Sequence, residues 1–266
     1  MRTSTLSVRQ FGFERLEDRM VLNGTVMVDS QTTNPGTLTI AGDNGNNAVI
    51  VHQIGKNADG APIIQVLGAS TKLNNLDTGK SGYSFTFGVA SGDDITAVDF
   101  EMGGGSDIVT FFNTTVSGTI TVNMDDPNSG GVGDGNDVLS MSNVHSTGDA
   151  ISVSLGNGTN VATLARVSSG ADFTLTGGNG LNVVALITVS SDTSPAVADD
   201  TFIVTLGSGK FNTVSMVNCT DGPDGTLQIS DDGADGILTG VLNNFAHQSD
   251  VTTFKYRAGD LTNNIA

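Results

Sequence analysis

The chain has 266 residues and a formal net charge of −17, with 35 glycines and only 5% aromatic residues. A negative field of this size repels phosphate backbones, which argues against nucleic acid as a partner. No segment approaches the roughly 20 apolar residues of a membrane-spanning helix. Glu101 is the only glutamate after residue 22, so the remaining acids there are aspartates, which favour turns over helices. The composition therefore predicts an all-β protein.

Residues 1–24 differ from the rest of the chain and are predicted to form an export-associated leader. Acids within 14–18 interrupt the apolar segment that an ordinary secretory signal requires. Phe13, Leu16 and Met20 have the i, i+3, i+7 spacing of one face of a short amphipathic helix. A short helix and a disordered leader are both compatible with this pattern.

The leader ends in FERLEDRMVLNG, residues 13–24, which resembles the N-terminal motif of many planctomycete surface and exported proteins. That motif runs aromatic-x-x-Leu-Glu-x-Arg-x-Leu and is followed by a small residue. Asp18 departs from it, because proline is common at that position. The matching positions are Leu16, Glu17, Arg19, Val21, Leu22 and Gly24. The resemblance implies an extracellular or cell-envelope location and says nothing about activity.

The rest of the chain is dominated by a repeated pattern, G-x-G-x-[Asp/Asn]-x-apolar, as in GDGNDVL at 133–139 and GNGLNVV at 178–184. Successive copies lie 60, 30, 23, 22, 30 and 23 residues apart, and the interval of 60 has room for two further units with degraded motifs. Periods of 20–50 residues indicate stacked structural units. The Asp or Asn of the motif, called the anchor below, is Asn47, Asp107, Asp137, Asn160, Asn182, Asn212 and Asp235.

Each unit also contains a second apolar alternation after a Ser/Thr-Gly pair, as in SGTITVNM at 117–124. Two β-segments per unit, separated by glycine-rich corners, predict a right-handed parallel β-helix (solenoid) of about eight coils over residues 25–247. Residues 248–266 are predicted to cap its open end. A chain of β-sandwich domains also gives strands at this spacing. The recurrence of one corner chemistry favours the solenoid, where stacked anchors can form a hydrogen-bonded ladder.

The alternation within each segment predicts which apolar residues point inward. The predicted core contains Val109, Ile120, Val122, Val138, Ile151, Val153, Val161, Phe173, Leu175, Val183, Ile203, Val214 and Ile237. The single cysteine, Cys219, lies in an apolar run and is predicted to be a small buried hydrophobe.

The anchor loops resemble single copies of the hemolysin-type calcium repeat, G-G-x-G-x-D-x-apolar-x. The resemblance does not extend to that family's tandem nine-residue array, and calcium needs six to eight oxygen ligands. It implies calcium as a candidate ligand, with plain turn-and-ladder corners as the alternative. The candidate ligands are Asp134, Asp137, Asp107, Asp231, Asp232 and Asp235, with Asp125 and Asp126 close to the first pair.

No group of residues has the spacing of a catalytic motif. His52, His145 and His247 lie in unrelated contexts, and a lyase-type base has only Arg166 or Arg257 to draw on. The sequence therefore favours a non-enzymatic, extracellular or cell-surface structural protein of adhesin-like character. Its expected partners are other surface proteins or polysaccharide, with no cofactor except calcium. The alternative is a carbohydrate-active β-helix enzyme, a polysaccharide lyase or glycosidase, using paired carboxylates.

Overall fold

The structure is a computed structural model that describes residues 24–125, 135–191, 201–207, 212–220, 226–231, 239–243 and 253–255. These residues form strands and turns, with no helix among them, so the predicted all-β class is confirmed for this part of the chain. The predicted leader helix lies outside the described residues. Among the described residues, no helix has the length and apolar character needed to cross a membrane.

Twenty strands are described. In chain order they are β1 (Thr25–Asp29), β2 (Thr37–Ala41), β3 (Ala48–Lys56), β4 (Pro62–Gly68), β5 (Lys72–Asn75), β6 (Lys80–Gly82), β7 (Ser84–Phe87), β8 (Ala97–Glu101), β9 (Ile108–Val116), β10 (Ile120–Asn123), β11 (Val138–Ser146), β12 (Ile151–Ser154), β13 (Gly158–Ser168), β14 (Phe173–Thr176), β15 (Gly180–Ser190), β16 (Thr201–Leu206), β17 (Thr213–Val217), β18 (Thr226–Asp231), β19 (Thr239–Asn243) and β20 (Thr253–Lys255).

The strands build two mixed sheets in which parallel pairing predominates. Sheet A has the order β20-β18-β16-β14-β12-β10-β8-β2-β1-β5-β6, and sheet B has the order β19-β17-β15-β13-β11-β9-β3-β4-β7. From β8 onward, successive strands alternate between the sheets, and every pairing among them is parallel. Each repeat unit therefore adds one strand to each sheet at the same edge.

The N-terminal part is built differently, with antiparallel pairs β1–β2, β3–β4, β4–β7 and β5–β6. Strands β3 to β7 lie in the 60-residue interval between the first two anchors, and β1 and β2 precede it. Strand β3 pairs directly with β9, with Ala48 opposite Ile108. The expectation that this interval holds two further degraded units is therefore wrong, because its antiparallel strands continue both sheets beyond the first parallel repeats.

The hydrophobic core lies between the two sheets, which contribute alternate side chains to one buried cluster. Phe100 of β8 in sheet A meets Phe111 of β9 in sheet B with 5.3 Å between ring centroids. A second aromatic pair, Phe173 and Phe202, lies on neighbouring strands of sheet A with tilted rings and 4.7 Å between their centroids. Such pairs contribute about 0.5–1.5 kcal/mol each beyond the burial of their area.

Most of the predicted core residues are buried, but four of them point toward solvent. Val138, Val161 and Val183 are 40%, 38% and 36% exposed, and Ile203 is partly exposed. Ile237 lies outside the described residues. The buried members are Val109, Ile120, Val122, Ile151, Val153, Phe173, Leu175 and Val214.

For the three valines the error in phase has one physical cause, which is that the polar anchor itself points inward. Asp137 is 1% exposed, so Leu139, two residues later, is buried while Val138 faces outward. The predicted core counted Val138, Val161 and Val183, each directly after its anchor, as buried. A strand alternates strictly, so a shift of one residue moves the side chains to the other face.

Candidate functional site

A column of buried polar side chains runs through the stacked repeat units at the start of the sheet B strands. Each member is at most 1% exposed, although each carries a carboxyl or an amide group. Buried polar groups are costly unless they are hydrogen-bonded, so this column needs internal partners. Its members are the anchors Asn47, Asp107, Asp137, Asn160, Asn182 and Asn212. Asp235 lies outside the described residues.

Hydrogen bonds connect these anchors into a continuous ladder, as the sequence predicted. The backbone N–H of Asn47 donates to Oδ1 of Asp107 at 2.7 Å, and that of Asp107 donates to Oδ1 of Asp137 at 2.8 Å. The N–H of Asp137 donates to Oδ1 of Asn160 at 3.1 Å. Further along, Nδ2 of Asn160 donates to Oδ1 of Asn182 at 3.3 Å, and the N–H of Asn182 donates to Oδ1 of Asn212 at 3.0 Å.

The asparagine rungs also close the glycine-rich corner that precedes them. Nδ2 of Asn160 donates to the carbonyl oxygens of Gly156 and Asn157, both at 3.1 Å. Nδ2 of Asn182 donates to the carbonyl oxygen of Gly178 at 3.0 Å. An amide can accept from one rung and donate to its own corner, and this dual capacity explains the preference for asparagine.

The aspartate rung Asp107 lacks the donor that the amide supplies. Its Oδ1 accepts from Asn47, while its Oδ2 is buried without a hydrogen-bond partner. Burial raises the pKa of Asp107 to about 8; the hydrogen bond from Asn47 opposes this rise, and the negative charge of Asp137 adds to it. Asp107 is therefore mainly protonated at neutral pH. A protonated carboxyl supplies the hydrogen that asparagine supplies at Nδ2.

The predicted calcium ligands are only partly brought together. Asp107 and Asp137 are adjacent rungs of the ladder, and Asp125 accepts a hydrogen bond from the N–H of Asn157 at 2.6 Å. In the part of the chain that the structure describes, no three His, Cys, Asp or Glu side chains are grouped to hold a metal ion. Asp231 ends strand β18. The candidates Asp134, Asp126, Asp232 and Asp235 lie outside the described residues.

A second column, which sequence reasoning missed, consists of residues in the left-handed backbone region. They lie six positions after each anchor, where the sheet B strand bends. Nδ2 of Asn143 donates to Oδ1 of Asn113 at 3.2 Å, so this column is also hydrogen-bonded in part. The recurring asparagine at this offset was the available signal. The members are Asn113 (φ 50°), Asn143 (56°), Arg166 (53°), Thr188 (55°) and Asn218 (52°).

The outer face of sheet A carries a regular array of hydroxyl and amide groups, here called the hydroxyl face. Its residues are the outward-pointing pairs of five consecutive strands in parallel register, and they are partly or fully exposed. The sequence analysis did not identify this array, because its residues come from different repeat units and lack one recurring motif. The residues are Thr121, Asn123, Ser152, Ser154, Thr174, Thr176, Ile203, Thr205, Gln228 and Ser230.

Among the side chains that the structure describes, the outer face of sheet B carries no acid and is partly apolar, and it is here called the apolar face. Ile108, Val138, Val161 and Val183 form one register row across β9, β11, β13 and β15, each 36–41% exposed. Ile187 is 43% exposed in another row. The apolar face comprises Ile108, Thr110, Phe112, Val138, Ser140, Ser142, Val161, Thr163, Ala165, Val183, Ala185, Ile187, Thr213, Ser215 and Val217.

The residues considered for catalysis lie apart from one another. Arg166 belongs to the left-handed column of sheet B. His52 stacks on Phe112 with 4.9 Å between ring centroids. Arg257 and His247 lie outside the described residues.

Two further titratable groups are held inside the fold or against its surface. Nδ1 of His145 lies 2.6 Å from Oγ of Ser168, and burial lowers the pKa of this histidine. Cys219 is fully buried, as predicted, and burial raises the pKa of its thiol. Both environments favour the neutral form of the side chain.

Comparison with protein-family models, with curated proteins and with solved structures found no match to this chain. The functional interpretation therefore depends on the ladder and the two outer faces.

Proposed function

We propose that this chain is a non-enzymatic structural protein of the extracellular space or cell envelope, built as a right-handed parallel β-solenoid. The alternation of strands between two sheets from β8 onward supports the solenoid, since each repeat unit extends both sheets in one direction. The buried anchor ladder supports it too, because it ties each unit to the next through the corner. The leader motif supports export.

The observation that carries the proposal is the hydroxyl face. Neighbouring strands place its side chains about 4.8 Å apart, and residues such as Thr174 and Thr176 lie about 6.6 Å apart along one strand. Some of these groups bond to each other, as Ser230 Oγ does to Thr205 Oγ1 at 3.1 Å. A flat, regular, uncharged array of donors and acceptors suits an extended polysaccharide, whose hydroxyl groups also repeat along the chain. The proposed role is adhesion to such a polymer.

The composition of the hydroxyl face also gives a reason to prefer a structural protein over an enzyme. Glycoside hydrolysis needs two carboxyl groups about 5–9.5 Å apart on either side of a bound sugar. The ten residues of the hydroxyl face include no acid, so the array itself offers no such pair. Asp99 and Glu101 lie two residues apart on the neighbouring strand β8 and are the carboxyl pair left to the enzyme alternative. Burial raises the pKa of Asp99, and the charge of Glu101 adds to this rise.

Co-sedimentation of the purified chain with insoluble cellulose, chitin and peptidoglycan tests the proposal. We expect binding to at least one polymer and loss of that binding in Thr174→Glu, which places a charge in the centre of the hydroxyl face. Val161→Glu on the opposite sheet changes the net charge equally and should still bind. Release of reducing ends or unsaturated sugars by the purified protein would establish the lyase or glycosidase alternative. Protease digestion of intact host cells tests the surface location.

We also propose calcium as a stabilising ligand of the acidic repeat units. One feature favours it, namely the succession of carboxyl groups at the adjacent rungs Asp107 and Asp137. The thermal test is given in the Discussion.

A further inference from the structure

We infer that the apolar face of sheet B is a self-association surface that joins two copies of this chain. This inference is independent of the proposed polysaccharide binding, because it concerns the opposite sheet. Its starting point is the row Ile108, Val138, Val161 and Val183, which the parallel register holds side by side at the surface. Contiguous exposed apolar rows of this kind mark interaction sites in soluble proteins.

The charge of the chain indicates that the partner bound at the apolar face is a second copy of the same chain. The chain carries a net charge of −17, so two copies repel each other wherever their acids face. The fifteen residues of the apolar face include no charged side chain, and the nearest one in the same strands is Arg166 at the bend. Two acidic chains can therefore approach through this face without bringing carboxylates together.

The face also continues beyond the parallel strands. Ile50 of β3, Gln65 and Leu67 of β4, and Ser84 and Thr86 of β7 are outward-facing neighbours in the same sheet. These residues add three strands to the five that define the apolar face. All five are uncharged, so the surface open to a partner is wider than the parallel repeats alone.

The available area matches a reversible dimer. Eight strands spaced ~4.8 Å apart, each contributing five residues at ~3.3 Å per residue, give a surface area of roughly 650 Å² per copy. Two copies would bury about 1,300 Å², at the lower end of specific protein–protein interfaces. Packed face to face, the two outer faces would lie about 10 Å apart, as sheets do in a sandwich. The interface area is modest, and the middle row of the apolar face (Thr110, Ser140, Thr163, Ala185 and Ser215) carries mostly hydroxyl groups. We therefore expect a dimer dissociation constant on the order of 10–100 µM.

Sedimentation velocity of the full chain between 5 and 300 µM tests this inference, in 0.15 M and 1 M NaCl. The wild type should dimerise with rising concentration, more strongly in 1 M NaCl, because salt screens the repulsion between the acidic bodies. Val161→Glu places a charge in the centre of the apolar row and should weaken the dimer at least tenfold. Val138→Glu is a second variant with the same expected result.

Thr174→Glu is the matched control, since it adds the same charge to an outward position of the opposite sheet and should dimerise as the wild type does. Far-UV circular dichroism and the thermal midpoint verify that each variant is folded. A wild type that stays monomeric at 300 µM in both salts overturns the inference, as does a folded Val161→Glu that dimerises like the wild type. A monomeric wild type that still binds polysaccharide would refute only this inference and leave the proposed function standing.

Discussion

Asp107 and Asp137 are consecutive rungs of one buried ladder, joined by a 2.8 Å hydrogen bond from the N–H of the first to Oδ1 of the second. The rung before them and the three after them in the described ladder are asparagines. Two acids thus follow each other where the architecture favours amides. The fold tolerates this succession because Asp107 remains neutral, which ties the stability of the chain to pH.

Asp107→Asn should remove part of this pH dependence. The pKa of Asp107 is about 8 in the folded chain and ~3.9 in an unfolded one, so the folded state binds an extra proton between these values. The stabilisation that the folded chain gains from binding this proton is complete below pH ~4 and is lost as the pH rises towards 8. The asparagine variant keeps this contribution at all pH values. It should exceed the wild type by on the order of 1–3 kcal/mol at pH 8.5, and by much less at pH 5.

Urea unfolding in EDTA at pH 5 and pH 8.5, followed by circular dichroism, measures this difference. Asp59→Asn is the matched control, because it removes one charge from an exposed turn and should shift stability equally at both pH values. If Asp107→Asn and the wild type show parallel pH profiles, the rung is ionised in the folded chain and this prediction is wrong.

Gly158→Ala should be strongly destabilising because repeat units stack at this glycine. Gly158 has φ +96°, and a Cβ there would overlap the carbonyl oxygen of Gly135 in the preceding unit. Gly92 has a similar φ of +87° but open space around it. We expect Gly92→Ala to cost about 1–2 kcal/mol from backbone strain alone, and Gly158→Ala about 3 kcal/mol or more. Equal losses on thermal or urea unfolding would show that stacking does not constrain this corner.

The all-β class and the positions of the recurring sheet B strands could be predicted from the sequence because one local pattern marks them. The anchors at 107, 137, 160 and 182 mark where each sheet B strand starts, and the ladder they form follows from amide and carboxyl chemistry. The antiparallel N-terminal strands carry no such pattern, so nothing local distinguished them from degraded repeats. Their pairing depends on long-range contacts such as Ile64 with Phe87.

The two outer faces were harder to foresee for a different reason. Val138 and Leu139 are both apolar, and only the inward direction of Asp137 decides which of them is buried. A sequence of Ser, Thr and Asn likewise does not reveal that the residues of different units come into register. The surface pattern of a repeat protein depends on how its units stack on one another, whereas the inward-pointing core residues follow from the alternation within each unit.

Thr188→Asn should stabilise the chain. Thr188 is exposed and has φ 55°, a conformation that disfavours β-branched residues and that asparagine adopts more readily. Asparagine already occupies the equivalent positions 113, 143 and 218. We expect a gain of about 0.5–1 kcal/mol and a higher thermal midpoint. The reverse exchange, Asn143→Thr, should lower stability by about 1–2 kcal/mol, since it also removes the hydrogen bond to Asn113.

Calcium should raise the thermal midpoint more than magnesium or sodium does at matched ionic strength, because a ligand of the folded state stabilises it by mass action. Screening of the −17 charge acts with any salt, so only an excess for calcium indicates specific ligands. Asp137→Asn should abolish that excess while retaining the shift produced by sodium, and Asp59→Asn should retain both. Equal midpoints in the three salts would show that the acidic rungs act through hydrogen bonds and proton binding alone.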